Sequence, residues 1–279
     1  MVSVVEAEAA LFSGDLALAG FVDDSPRACW LRAVGLGAQG YYTRGWAELD
    51  SCLSIDDHAL DADVSLAASA AASFHRQLGR HLTAAMLDEY ALALALRTPR
   101  NAHALEAELD ALVGLAADSV GVGDVAAATR WLARAAALGS SAWRAQVRLA
   151  WVRAEVALLG GVAHEAGPAA DQAVAISREV GAMRHLAKSL LFTAVSRPAG
   201  DPESARAAYE SLEVATAIGA RTLLWPARIV LSSLEPVKAG VHAHNAAAVI
   251  RSIAADTPPE IARGWLQGPD LALVLREDA

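Results

Sequence analysis

The sequence predicts an all-α chain in which helix pairs stack into a solenoid, and three observations predict it. Alanine makes up about a quarter of the 279 residues, while the aromatic share is only 5%. That composition favours helix, because Ala and Leu are strong helix formers whereas strands draw on β-branched and aromatic side chains. Glycines interrupt the helical patterning at Gly14, Gly45, Gly79, Gly123, Gly161, Gly200 and Gly240, at intervals of 31 to 44 residues. Small side chains recur at fixed offsets from those glycines. The chain exceeds the usual length of a single core, yet nothing in its middle reads as a linker. An array in which each repeat packs only on its neighbours accommodates both facts.

Each of these glycines suits a short turn between two helices, since Gly ends a helix at little steric cost. Gly14-Asp15, Gly123-Asp124 and Gly200-Asp201-Pro202-Glu203 add residues that start the next helix. Seven residues before the glycine stand Ala38, Ala72, Ala116, Ala154, Thr193 and Ser233, all small. Five after it stand Ala19, Ala84, Ala128, Ala166 and Ala205, with Asp50 and Asn245 as the departures, and twelve after it stand Ala91, Ala135 and Ala173. Small residues at facing points let two helix backbones approach closely. Leu132 and Tyr209 supply larger filler.

These features resemble the tetratricopeptide repeat family, whose unit is a helix, a turn and a helix. The residues that carry the resemblance are Tyr41-Tyr42-Thr43-Arg44-Gly45, then Gly123-Asp124 through Ala128 with Trp131-Leu132 and Ala135, and Gly200-Asp201 through Ala205 to Tyr209. The resemblance implies a right-handed α-solenoid of about six to seven repeats, running to about residue 255, with a C-terminal capping helix in 256–279 and the whole of 1–279 as one repeat domain. Most units run longer than the family's 34 residues and lack its terminal proline. The longer ones, such as Ala142 to Gly181, and the tail through Pro258-Pro259 and Trp265-Leu266 to Leu271–Leu275 are similar to the arrays of bacterial LuxR-type and signalling-ATPase regulators. Neither the DNA-binding nor the ATPase module of those proteins is visible.

Composition also excludes functions. The net charge of −9 comes with two lysines, Lys188 and Lys238, and no basic run. Nucleic acid is not an expected partner, because phosphate binding depends on clustered Lys and Arg. No apolar stretch reaches the eighteen residues that a membrane span needs, so no membrane partner is expected. Residues 1–11 carry Glu6 and Glu8 rather than a basic segment before an apolar core. With two cysteines and no export signal, a cytoplasmic location is expected. Cys29 and Cys52 read as buried free thiols on the two helices of one hairpin.

Gly35-Leu36-Gly37-Ala38-Gln39-Gly40, followed by Asp56 and Asp57, formally matches a dinucleotide-binding glycine pattern. That pattern carries meaning only between a strand and a helix. Here Asp24-Ser25 instead caps a helix beginning at Pro26, so no nucleotide or other cofactor is expected. His242 and His244, two apart on a helix, point to different sides, and His75 and His81 lack ligands at metal spacing, so no metal is expected. No catalytic motif occurs, and the chain is expected to be non-catalytic.

The candidate binding face follows from the family's concave groove, which the first helix of each pair lines. Stepping three and four residues along those helices selects Arg32, Gln39 and Tyr42, then Ser69, Ser73 and Arg76, then Asp110 and Val113, then Arg148, Trp151 and Glu155, then Leu190 and Arg197. The partner-binding set is Arg32, Gln39, Tyr42, Ser73, Arg76, Arg148, Trp151, Glu155 and Arg197. Mixed Arg and aromatic residues suit another protein or a peptide with acidic groups. The leading expectation is an interaction scaffold or regulatory adaptor, compatible with a homodimer. Two other readings stand beside it: a sensory regulator binding a small molecule or peptide signal inside the solenoid, and a helical enzyme with an unrecognised site.

Overall fold

Local sequence signals start and stop the helices of the computed structural model, which describes residues 2–18, 21, 23–55, 57, 61–198, 200–268, 271, 274 and 275. Ser3 and Glu6 form a capping box that opens α1 (Val4–Ser13). The Ser25 hydroxyl accepts from the Ala28 amide and Pro26 takes the first position of α2 (Pro26–Gln39). There follow α3 (Tyr42–Leu53), α4 (Asp61–Gln77), α5 (His81–Arg97), α6 (Ala102–Gly121) and α7 (Val125–Ala137). The chain continues through α8 (Trp143–Leu159), α9 (Ala163–Glu179), α10 (Met183–Ser196), α11 (Pro202–Ala217) and α12 (Arg221–Leu234). A 3₁₀ turn at Pro236–Lys238 leads into α13 (Ala239–Ala255) and α14 (Pro259–Leu266). Asp124 and Asp201 cap α7 and α11, as their position after a glycine predicts. The described residues contain no strand, so the Gly35–Gly40 pattern lies on a helix and its end rather than in a βαβ unit. Ala19 and Asp56 lie outside the described residues.

Consecutive helices pack on each other throughout, as a helical repeat requires. The even-numbered helices also touch one another, α2 on α4, α4 on α6, α6 on α8, α8 on α10 and α10 on α12, so they form an inner wall behind which the odd-numbered helices stand. The recurring alanines sit at these contacts: Ala72, Ala84, Ala91, Ala116, Ala128, Ala135, Ala154, Ala166 and Ala173 are each fully buried. Two expected turn glycines do not lie in turns. Gly45 is inside α3, where an added Cβ would come 2.7 Å from Phe74, and Gly240 is in the first turn of α13. The turn between α2 and α3 is made by Gly40 instead. Its φ of +78° suits only Gly, and a Cβ there would meet Ile253 at 2.8 Å.

The wall closes on itself, because α12 packs back against α2. The Thr222 hydroxyl donates to the Ala38 carbonyl at 2.9 Å, and the Thr43 amide donates to the Asp256 carbonyl at 2.9 Å. Arg221 bonds the Gln39 carbonyl through Nε and the Asp256 carboxylate through Nη2, both at 2.5 to 2.7 Å. One apolar cluster accordingly joins both ends of the chain, with Leu11, Leu16 and Trp30 packed together with Ile250, Ile253, Trp265 and Leu271. Helix α1 touches both α2 and α10. No helix among the described residues is long and apolar enough to cross a membrane.

Candidate binding cavity

The closed inner wall surrounds a cavity of about 570 Å³. Trp30 and Val34 of α2, Ser73, Phe74 and Arg76 of α4, and Asp110 and Val113 of α6 line one side. Arg148, Trp151 and Glu155 of α8, Arg184, His185 and Lys188 of α10, and Thr222 and Trp225 of α12 line the other. Phe12, Tyr42, Ile253 and Trp265 add surface from α1, α3, α13 and α14. The volume falls within the range of small-molecule sites, which are mostly apolar with a few placed polar groups.

The aromatic surfaces are fixed by mutual packing. Trp151 stacks on His185 with ring centroids 5.2 Å apart and planes 17° from parallel, and its Nε1 donates to the Ser189 hydroxyl at 2.8 Å. Ser189 in turn donates to the His185 carbonyl at 2.8 Å. Phe12 meets His185 edge-on at 5.5 Å and Trp143 at 5.4 Å, so α1 reaches the cavity wall. On the opposite side Tyr42, Trp46 and Phe74 form a tilted cluster with centroids 5.2 to 5.8 Å apart. Such pairs restrict ring rotation and keep the cavity shape defined.

Charge in the wall is arranged unevenly. Arg76 holds Asp118 at 2.7 Å and also pairs with Asp88. Burial opposes its charge, but these two carboxylates outweigh burial and keep the guanidinium above its ordinary range. Burial and the nearby Asp118 charge hold Asp88 up, to about 7, against the pull of Arg76. Its carboxylate contacts the Arg76 guanidinium directly. Asp110 serves two cations, Arg148 at 2.6 Å and Arg144, which also reaches Glu106 at 3.1 Å. Lys188 Nζ lies 4.5 Å from the Trp151 ring and 5.6 Å from Phe192, and burial, partly offset by Glu155, brings its ammonium down to about 8. Burial raises the Glu155 carboxyl, against the attraction of Lys188.

Arg184 differs from the rest. Among the described residues it has no carboxylate partner, and its buried Nε has no hydrogen-bond acceptor. Burial, and then the charges of Arg148 and Arg144, press its guanidinium downward, with the Tyr42 phenol opposing them. Beside it His185 is 5% exposed, its Nδ1 also lacks a partner, and burial followed by Arg184 drives its imidazole well below the usual range, so the ring is neutral. Burial raises the Tyr42 phenol, which therefore remains a hydroxyl donor.

Of the nine residues that the sequence selects for partner contact, the structure brings Tyr42, Ser73, Arg76, Arg148, Trp151 and Glu155 together around this cavity. The other three lie elsewhere. Arg32 pairs with Glu48 at 2.9 Å and with the Asp23 carbonyl, and Gln39 Nε2 donates to the Leu16 carbonyl at 2.8 Å, so both tie α2 to its surroundings. Arg197 binds Asp171 at 2.7 Å between α10 and α9. Sequence reasoning also missed Arg184, His185 and Lys188, while Leu190 packs in an outer cluster. The cause is loop length: Gly161 follows the end of α8 by two residues, whereas Gly200 follows the end of α10 by four. Counting back ten residues gives Trp151 on α8 but stops at Leu190, two residues short of Lys188, on α10. The phase was recoverable from Pro198, which bars helix continuation and marks the longer loop.

Cys29 and Cys52 are free and buried, and burial pushes the Cys52 thiol up to about 12. Among the described residues no group of three or more His, Cys, Asp or Glu stands close enough to hold a metal ion. Comparison with models of known protein families and with curated proteins finds no match to this chain.

Proposed function

We propose that this chain is a helical-repeat receptor of the tetratricopeptide type, a right-handed array of about six helix pairs with α14 as its cap, that binds a small molecule in its central cavity. One observation carries the reading: a ligand-sized space inside the wall is lined by fixed aromatic rings and by the half-buried Arg184, whose Nε is buried without an acceptor and which has no carboxylate partner among the described residues. An uncompensated buried charge costs several kcal/mol, and a bound molecule is a natural counterpart. The closure of α12 on α2 and the placement of Phe12 against His185 favour a compact occupant over an extended peptide, which needs an open groove. In this reading a partner protein responds to occupancy through α1, the helix that touches both α2 and α10, and the chain acts as a regulator rather than a catalyst.

The test is recovery of the occupant. Protein purified from its producing cells is extracted with organic solvent, and the extract is analysed by mass spectrometry beside that of Ser73→Trp, which fills the space. A molecule present near one per chain in the native protein and lost from the variant supports the reading. Equal recovery from both, or no recovery together with no thermal stabilisation by any member of a metabolite panel, overturns it.

A further inference from the structure

The charges of the cavity wall define the head group of the occupant, an inference that rests on the receptor reading. Five cations line the space, Arg76, Arg144, Arg148, Arg184 and Lys188. Arg76 is matched by Asp88 and Asp118, and Arg144 and Arg148 by Asp110 together with Glu106. Lys188 and Glu155 attract one another across the wall. Arg184 has no carboxylate partner among the described residues and no carboxylate that offsets burial of its charge, and His185 and Tyr42 are its uncharged neighbours. A guanidinium that no carboxylate contacts, held beside stacked rings, is complementary to an anionic head on an apolar body.

We propose that the cavity binds an organic acid, its carboxylate-like head on Arg184 and its planar or apolar body against Trp151 and His185. Among the described residues nothing accepts from Arg184 Nε, and His185 Nδ1 on the same helix is likewise without a partner. Guanidinium matches an oxyanion in geometry as well as charge, because its donors form a planar fork. A cationic head would be repelled by a guanidinium that no carboxylate among the described residues contacts.

A matched pair of fluorescent probes separates head from body. 1-Anilinonaphthalene-8-sulfonate carries one anionic head, and N-phenyl-1-naphthylamine has the same rings without it. The native protein is expected to bind the sulfonate at least tenfold more tightly than the neutral dye, and Ser73→Trp to lose both. Arg184→Gln should weaken the sulfonate by about tenfold or more, the range of a lost charge-assisted hydrogen bond, and leave the neutral dye unchanged. Arg184→Lys keeps the charge and should restore part of the preference. Equal affinity for the two dyes, or a sulfonate preference that survives Arg184→Gln, overturns the acid while leaving the cavity reading in place. Failure of both dyes to enter the native protein, or binding that Ser73→Trp does not disturb, overturns the receptor reading itself. Because removal of a charge can alter folding, each variant is first compared with the native protein by circular dichroism. If Arg184→Gln unfolds, Tyr42→Phe provides the second measurement, with a sulfonate-selective loss expected and an equal effect on both dyes counting against the proposal.

Discussion

The Thr222 hydroxyl of α12 donates to the Ala38 carbonyl of α2 at 2.9 Å, a bond between residues 184 positions apart that fastens the last inner helix to the first. Arg221 reinforces it by binding Gln39 and Asp256 and by lying 4.4 Å from the Tyr41 ring. Removal of Arg221 leaves the Gln39 and Asp256 groups to find water, and removal of the Thr222 hydroxyl leaves a buried carbonyl with one acceptor site empty. Thr222→Val and Arg221→Ala are each expected to lower stability by about 1 to 2 kcal/mol, measured by chemical denaturation. Hydrogen exchange of α2 and α12 amides should accelerate together. An effect confined to one of the two helices would show that the bond does not fasten the wall.

Arg148 and Trp151 belong to the cavity, and they are also structural. Arg148 lies 2.6 Å from an Asp110 carboxylate that is almost fully buried. Arg148→Glu sets two carboxylates against each other and is expected to destabilise by about 3 to 5 kcal/mol, as breaking a buried pair does. Trp151 is 6% exposed and truncation to Ala should cost a similar amount through the cavity it leaves. A sequence view in which both residues only face an open groove expects the double variant to keep its fold. Melting temperatures of the two single variants within about 2 °C of native would return them to that role.

Ala128 and Ala166 are fully buried on α7 and α9, at the contacts of those helices with the inner wall. Ala128→Leu and Ala166→Leu insert bulk where backbones approach, and each is expected to cost about 1 to 3 kcal/mol. Thermal denaturation checks both. An unchanged melting temperature in the pair would break the repeat register.

His103 supplies a pH dependence with a definite sign. Its Nε2 lies 2.9 Å from Asp63, its Nδ1 3.6 Å from Glu106, and these two partners raise the imidazole to about 9. The folded value exceeds the unfolded value of about 6.5, so the stabilisation is complete below pH 6.5 and is lost as pH rises toward 9. His103 is partly exposed, so solvent screening holds the effect below about 1 kcal/mol. The difference in unfolding free energy between native protein and His103→Ala should shrink steadily between pH 6.5 and 9. A difference that grows over this interval would contradict the assignment.

Local sequence sets the helices, their pairing and much of the inner face. Alanines at fixed offsets, Asp124 and Asp201 as caps, and the phase of Ser73, Arg76, Arg148, Trp151 and Glu155 all depend on interactions within a helix or across a turn of a few residues. Such short-range terms repeat along the chain and leave a visible period. That Gly40 rather than Gly45 makes its turn follows from long-range packing, because the choice rests on Phe74 and Ile253, which approach from elsewhere in the chain. Tertiary packing also decides that Arg32, Gln39 and Arg197 tie helices together while Arg184 is left facing the cavity, since the loop after α10 shifts that helix's phase. Closure of α12 on α2 had no sequence signal at all. It depends on the small rotation between successive helix pairs, which accumulates over the whole array until residues at opposite ends meet and the inner face becomes a ring.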